Sequence, residues 1–503
     1  MRFERSDTIG SGSQGNFYAY RISDKKKGDF EETAHSNKPR IRILQITDIQ
    51  LSDPSSPNRF EFVNKLIDIE AARPFIPGHR PGELLTPHAA IAAVEKANSI
   101  HEQREVQVAL FTGDIIDSAQ RNEAEAVLAI IEGGELDPQT IFGTYEGVQS
   151  ATIDDPFYYK PDASSDLMGE MYGFPRIKGY LDAALGRQKS PGLQMPWLMA
   201  NGNHEVLVQG MGAKSKAANN YAQGGQKPTG FSTTDIDFGS LAKRYEGDAS
   251  ALQPIVTTTS VTPLDSRRLL ADGEFGAMVR DTKGLPVGHG LSNYEFGEMN
   301  YSTYFAEGDF VVIAIDTANR AGGARGVITE YCFRTLEEHL DLARATYPTA
   351  LIIVISHHSL SEINFDESSV TLGVVETLMS SNRVFLWLSG HTHRDRVISN
   401  SSNPARTFVE VTSASIADWP STIREIEIFD DVSSGKVTLY LRSHTVAEHV
   451  RYISYGEVVT GEISELLSIH SAIIANTAAI YGLDVQGTEL EEIKIECDRE
   501  RYL

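Results

Sequence analysis

Five short apolar runs, each stopping abruptly at an aspartate, asparagine or histidine, constrain this chain more than any other feature. They are Ile41–Thr47 before Asp48, Val106–Thr112 before Gly113-Asp114, and Trp197–Ala200 before Asn201-Gly202-Asn203-His204-Glu205. Leu351–Ser356 runs into His357-His358, and Val384–Leu388 runs into Ser389-Gly390-His391-Thr392-His393. A sixth run, Phe310–Asp316, ends on its own aspartate. Runs that are apolar throughout, rather than alternating, belong to strands buried on both faces. Helical stretches at Thr86–Ile100 and Ile328–Thr346 separate them, so the pattern predicts an α/β protein with parallel or mixed sheets. Such sheets bind ligands outside the carboxyl ends of their strands, where most of these polar clusters fall.

The 503 residues suffice for roughly two to four domains, or for one elaborated enzyme domain with insertions. Residues 1–40 are polar and predict a loosely structured lead-in. A catalytic domain is expected over 41–430. It carries insertions at about 120–195 and 206–305, rich in Gly, Asp, Ser and Tyr, that would cover the site. Strands at Ile423–Phe429 and Lys436–Ser443 and an amphipathic helix at Ser464–Tyr481 belong to its end and to a 431–503 extension. The net charge of −24 argues against non-specific binding to nucleic acid or an anionic membrane, while leaving room for a local basic pocket. No apolar run reaches the ~18 residues of a membrane span. Met1–Gly10 lacks an apolar signal-peptide segment, and Cys332 and Cys497, far apart, suit a reduced pair. A cytoplasmic protein is therefore expected.

Two divalent cations about 3.5–4 Å apart need a bridging carboxylate, nitrogen and oxygen ligands, and open positions for water and phosphate. The strand-end clusters offer those donors, and the glycines beside them permit sharp turns. Taken singly, each is weak: a strand-end aspartate is usually a cap, and Gly202-Asn203 is ordinary turn chemistry. Their joint occurrence points to a metal site.

In kind and order these residues resemble the calcineurin-like metallophosphoesterase superfamily, whose motifs are D-x-H, G-D-x-x-D, G-N-H-E/D, a lone His after a strand, and G-H-x-H. Four stand here as GDIID (113–117), GNHE (202–205), SHH (356–358) and GHTH (390–393). With Asp48, the resemblance spans residues 48–393. It implies a four-layer α/β/β/α sandwich of two mixed sheets with the metals at the strand C-terminal ends. It further implies that Asp114 bridges two metals, that Asp48 and His393 bind the first, and that Asn203, His357 and His391 bind the second. His204 would sit beside the substrate, stabilising charge or protonating the leaving oxygen, while Asp117 and Glu205 orient the ligands. A bridging water acidified by both cations would attack phosphorus in line.

Gln50 departs from the family, which usually has histidine there. An amide oxygen is a harder, weaker donor than imidazole. It tilts the expected pair of divalent ions toward manganese or iron, then magnesium, and away from zinc. Direct ligation by Gln50 and a water held by Gln50 both remain open readings. Arg80, His88 and His289 are further candidates for reaching a phosphate or covering the cleft, although single histidines and arginines on insertions are more often structural. His358 is expected to be a neighbour rather than a ligand. Asp316 could equally cap a loop, and Asp418-Trp419-Pro420 with Arg424 reads as a corner at a strand start.

A protein kinase is the rival that shares short motifs. Gly10, Gly12 and Gly15 match a glycine-rich loop, His393-Arg394-Asp395 with Asn400 matches a catalytic loop, and Asp237-Phe238-Gly239 matches D-F-G. The D-F-G stands before the catalytic loop instead of after it, and the V-A-I-K and A-P-E segments are missing, so the rival fails. The expected activity is metal-dependent hydrolysis of a phosphomonoester or phosphodiester. The alternative is a metal-binding scaffold without turnover, for which Gln50 gives some footing. Substrate identity lies with the insertions and is not readable.

Overall fold

The computed structural model describes residues 3–12, 15–22, 38–446 and 493–502, together with 466–467, 469–470, 473–474 and 477. Within 38–446 it leaves out 67, 76–77, 151–152, 163–165, 167, 169–173, 175–177, 292–296, 306–307, 366–369 and 400–405.

Each continuous apolar run forms a buried strand, and the fold is a mixed α/β arrangement with two six-stranded sheets. In chain order the strands are β1 (Ile41–Ile46), β2 (Val108–Phe111), β3 (Trp197–Met199), β4 (Tyr301–Phe305), β5 (Phe310–Ala314) and β6 (Leu351–Ile355). They continue as β7 (Val384–Ser389), β8 (Arg396–Ile398), β9 (Val409–Thr412), β10 (Thr422–Asp431), β11 (Lys436–Thr445) and β12 (Ile493–Asp498). One sheet has the order β12-β11-β10-β1-β2-β3, the other β4-β5-β6-β7-β9-β8. In the first, β1, β2 and β3 run parallel and β10–β12 are antiparallel additions. In the second, β5, β6, β7 and β9 run parallel between the antiparallel edge strands β4 and β8. The first sheet thus has a parallel half and the second a parallel centre, and these hold the unbroken runs of Val, Ile and Leu.

Alternate residues of the second sheet enter different cores. Phe310, Val312, Ala314, Leu351 and Ile353 share an apolar cluster with Ile43, Leu110 and Ile426 of the first sheet. Val311, Ile313, Ile352 and Val354 point the other way, onto Cys332, Leu336, Leu340 and Ala343. Those four lie on one helix, Glu330–Thr346, started by the Thr329 hydroxyl accepting from Cys332 N–H. Their spacing of four, four and three residues makes one stripe. Gln45 on β1 is one polar tie between the sheets. Its amide donates to Thr112 Oγ1 (3.1 Å) and the Ser389 carbonyl (2.9 Å), and its oxygen accepts from Ser413 Oγ (2.7 Å).

Several readings of the sequence need adjusting. Instead of a loosely structured lead-in, Phe3–Gly12 and Gly15–Ile22 form an antiparallel ladder that closes with Gly12 opposite Gly15. Phe17, Tyr18, Tyr20 and Ile22 are strand formers that the polar composition around them conceals. Two glycines of the kinase-like loop, Gly12 and Gly15, are therefore paired strand residues. Asp237 of the D-F-G triplet accepts from Ser240 N–H and caps the helix Phe238–Gly247. The 206–305 stretch carries a core of its own, in which Val208, Met211, Leu241, Tyr245 and Leu252 pack with Phe60 and Phe62. Of the helix expected at 464–481, the described positions are helical, and Leu466, Ile469 and Ile473 pack on Leu84, Leu85 and Tyr180; the other positions lie outside the described residues. Cys332 and Cys497 are both free. Among the described residues no helix is long and apolar enough to cross a membrane.

Candidate metal centre

The loops after β1, β2, β3, β6 and β7 converge. Asp48 N–H donates to the Gly113 carbonyl (3.0 Å), Gln50 N–H to Asp114 (2.9 Å), and Gly390 N–H to His357 (2.9 Å). These connections hold an unusual backbone. Asp48, Gln50, Asp114, His391 and His393 all have positive φ, at 52°, 47°, 55°, 69° and 54°. A left-handed non-glycine residue costs on the order of 1–3 kcal/mol, and such residues gather where function needs them. Here they are five of the seven candidate ligands. Packing also dictates the glycine beside them, because a Cβ on Gly202 would stand 2.0 Å from Asp114 Oδ1.

At the centre, one oxygen of each of Asp48 and Asp114 and one ring nitrogen of His357 lie within 4.8 Å of one another. His357 Nε2 is 2.9 Å from Asp114 Oδ2 and 4.0 Å from Asp48 Oδ1. His393 Nε2 is 3.1 Å from Asp48 Oδ1, and His391 Nδ1 is 3.2 Å from His357 Nε2. The far nitrogens are committed elsewhere. His357 Nδ1 donates to the Thr112 carbonyl (2.8 Å), and His393 Nδ1 lies 2.5 Å from Asp418 Oδ2. Asn203 Nδ2 donates to the Gly210 carbonyl (2.8 Å), which leaves its Oδ1 free. Asp48 Oδ1 faces the imidazoles of His393 and His357, and two oxygens, Gln50 Oε1 and Asn203 Oδ1, are buried without a hydrogen-bond partner. Buried polar atoms are rarely left so, and these sit on residues able to ligate a cation. The donor set fits a pair of divalent ions.

The charges agree with that chemistry. Burial opposes ionisation of Asp48 and Asp114, yet both stay below the ordinary carboxylate range, Asp48 chiefly through His393 and Asp114 through His357 and His204. Burial likewise opposes charge on the imidazoles. Asp114 and Asp48 nevertheless raise His357 to about 9, and Asp48 and Asp418 raise His393 to about 10. His391 falls to about 3 through burial and its neighbour His357. Two deeply buried carboxylates thus draw positive charge, and imidazole protons are the cations the chain itself supplies.

Glu205 and Asp117 act from outside. Glu205 accepts from the backbone N–H groups of Asp114 (2.8 Å), Ile115 (2.7 Å), Ile116 (3.2 Å) and Gly202 (2.6 Å), locking two loops together. Burial and Asp114 push its carboxyl up to about 7 against those donors. The Asp117 carbonyl accepts from His204 Nδ1 (2.6 Å), while its carboxylate pairs with Arg59.

Other candidates are committed to partners outside the ligand set. His289 is stacked on Trp197 at a centroid distance of 3.7 Å, with Nδ1 on the Trp197 carbonyl and Nε2 on Thr282 Oγ1, both at 2.8 Å. Trp197 begins β3 whereas the cluster lies past its end, so His289 packs the strand start instead of covering the cleft. His88 is buried on the helix Thr86–Arg104 beside His470, and both lose basicity mainly by burial. Arg80 commits its guanidinium to Asp418. His358 has both nitrogens occupied, by Thr317 Oγ1 (2.8 Å) and the Ala324 carbonyl (3.0 Å), and is the expected neighbour. Asp316 ties Asn201 (2.8 Å), Met299 N–H (2.9 Å) and Arg320 (2.8 Å), a loop-fastening role. Sequence reading missed Arg59 and the contact of Asp418 with His393. Neither had a signal, because each reaches the site only through a long-range contact.

No protein-family model and no curated protein matches the chain. Among solved structures it is similar to one described as "GAP50 the anchor in the inner membrane complex of Plasmodium", with 10% identity and a TM-score of 0.32, covering 86% of this chain and 95% of that one. A likeness of that depth says nothing about what this chain does.

Proposed function

We propose that the chain is a metal-dependent phosphoesterase hydrolysing the P–O bond of a phosphomonoester or phosphodiester, resembling the calcineurin-like metallophosphoesterases. In this reading its layers run helix, sheet, sheet, helix, with the centre at the shared strand ends. The observation that carries it is the pair of buried oxygens without a hydrogen-bond partner, Gln50 Oε1 and Asn203 Oδ1, on two separate loops beside the buried Asp48 and Asp114 carboxylates. Oxygen donors mixed with imidazole suit manganese or iron before zinc. Asp48, Gln50 and His393 would hold one ion, Asn203, His357 and His391 the other, and Asp114 both. When bound, the ions supply Lewis acidity and an acidified water for attack on phosphorus.

The chain's own residues do the rest. Glu205 keeps the Asp114 and Gly202 loops in register, so the ligands are oriented before substrate arrives. His204 N–H donates to Asp114 Oδ1 (2.8 Å), fixing the carboxylate's rotation. The His204 side chain, 14% exposed, is the group we assign to the leaving oxygen.

Metal analysis combined with chromogenic phosphomonoester and phosphodiester hydrolysis, with manganese added, tests this reading. Turnover of either ester is expected. Asp114→Asn should lose metal and cut turnover by more than about 100-fold, since even residues behind the ligands are typically worth 10–100-fold. Bound metal without turnover of either ester favours a recognition scaffold. Failure to take up metal overturns the reading.

A further inference from the structure

Of the three histidines in the cluster, only His393 has a carboxylate behind it among the described contacts. His393 Nδ1 lies 2.5 Å from Asp418 Oδ2. Asp418 is held in turn by Arg80, from Nε to Oδ1 at 2.9 Å and from Nη2 to Oδ2 at 3.3 Å. The side chains are 16%, 20% and 15% exposed respectively, so solvent screens the row only weakly. Arg80 is itself anchored. Its backbone N–H donates to Glu83 Oε2 (3.2 Å), and Glu83 accepts from Arg59 Nη2 (2.7 Å). Arg59 also pairs with Asp117, whose carbonyl fixes His204. A chain of ion pairs and hydrogen bonds therefore links His393 to His204 through Asp418, Arg80, Glu83, Arg59 and Asp117.

We infer that Asp418, clamped by Arg80, is the positioning residue for His393. The inference rests on the metal-centre reading. A carboxylate accepts only, so Nδ1–H donates to Asp418, and Nε2, 3.1 Å from Asp48 Oδ1, is the nitrogen that would serve a metal once its own proton is displaced. The contact also fixes the ring's rotation and raises its basicity as a ligand. His357 receives the weaker form of this support, from the neutral Thr112 carbonyl. The stronger support falls on the half of the centre where Gln50 replaces the customary histidine, and an amide oxygen binds more weakly than imidazole. Asp418 and Arg80 thus strengthen the donor that this half most depends on. The competing reading is a corner: Asp418 N–H donates to Ser415 Oγ (2.9 Å) and its carbonyl accepts from Ser421 N–H (2.8 Å). Those backbone contacts survive substitution of the side chain, so the two readings separate.

The test is manganese binding by calorimetry and by competition with a chromophoric chelator, on the full chain and its variants. Wild type should take up two ions in resolvable steps. Asp418→Ala should weaken one step by about 10–100-fold and leave the other within about threefold. Asp418→Asn, which keeps an acceptor oxygen for Nδ1–H, should recover part of the loss. Adding Asp418→Ala to His393→Ala should weaken binding no further, because the two act through one ligand. A purely structural Asp418 would lower the melting temperature and leave both steps unchanged, and that result overturns the inference while leaving the metal-centre reading intact. Absence of manganese uptake by wild type overturns both, and is seen before any variant is compared. Should Asp418→Ala fail to fold, Asp418→Asn and Arg80→Met carry the same comparison, with weakening of one step expected and equal binding overturning it.

Discussion

His204 Nδ1 faces the Asp117 carbonyl oxygen at 2.6 Å, and a carbonyl only accepts, so the proton sits on Nδ1. Nε2 then accepts from Gln50 Nε2, 3.2 Å away. That contact leaves Gln50 Oε1 as the buried atom without a partner. Gln50 therefore gives its amide hydrogens to His204 and keeps its oxygen available to a cation or a water. Replacing His204 by alanine keeps its backbone N–H on Asp114 Oδ1. Turnover of a phosphoester should fall by about 10²–10⁴, while metal content, measured on the same preparation, stays near that of wild type. Loss of both metals would show that the ring supports the ligands and not the leaving group.

At the scale of elements, the buried strands were legible because continuous apolar runs have few alternatives, and their ends were legible to within a few residues. The stretch Gly288-His289-Gly290 left two readings open, a role at the cleft and the commoner structural one, and local sequence could not choose between them. The histidine ring is buried against Trp197, and both nitrogens are satisfied. His289→Ala should destabilise the chain by about 2–4 kcal/mol, from lost packing and two broken buried hydrogen bonds. Urea unfolding measures that. The metal-loaded kcat of whatever remains folded should be unchanged, and a kcat falling in step with metal affinity would return His289 to the site. The lead-in ladder escaped for a different reason: two-stranded pairing needs strand formers and a turn but no apolar run.

Across the whole molecule the net charge of −24 conceals buried ion pairs that join distant segments. Glu425 on β10 is fully buried and meets Arg42 of β1, Arg104 at the end of the helix Thr86–Arg104, and Arg442 and His444 of β11. Burial works against its charge, but hydrogen bonding to His444 and the charges of Arg104, His444 and Arg442 bring it down to about 2. Its folded value lies below the unfolded one near 4.5. The stabilisation is therefore complete above that pH and is lost as pH falls through about 2; it is worth ~3 kcal/mol at neutrality. Glu425→Gln should be less stable by about that amount at pH 7, with the gap to wild type closing between pH 4.5 and 2 in denaturant titrations. A gap independent of pH would mean that the carboxylate is not the source.

The sequence by itself determined which residues could ligate a metal and that they end buried strands. Those properties reside in residue type and in the local rhythm of the chain. From those clusters the resemblance to the metallophosphoesterases picked out Asp48, Asp114, Asn203, His357, His391 and His393, and the fold brings their loops together. Only the tertiary structure decided which oxygens lack partners, which tautomer His204 adopts, and that Arg80 and Asp418 stand behind His393 instead of facing a substrate. Those facts depend on contacts between segments hundreds of residues apart. Such contacts follow from how two sheets meet, and the local sequence carries no record of them.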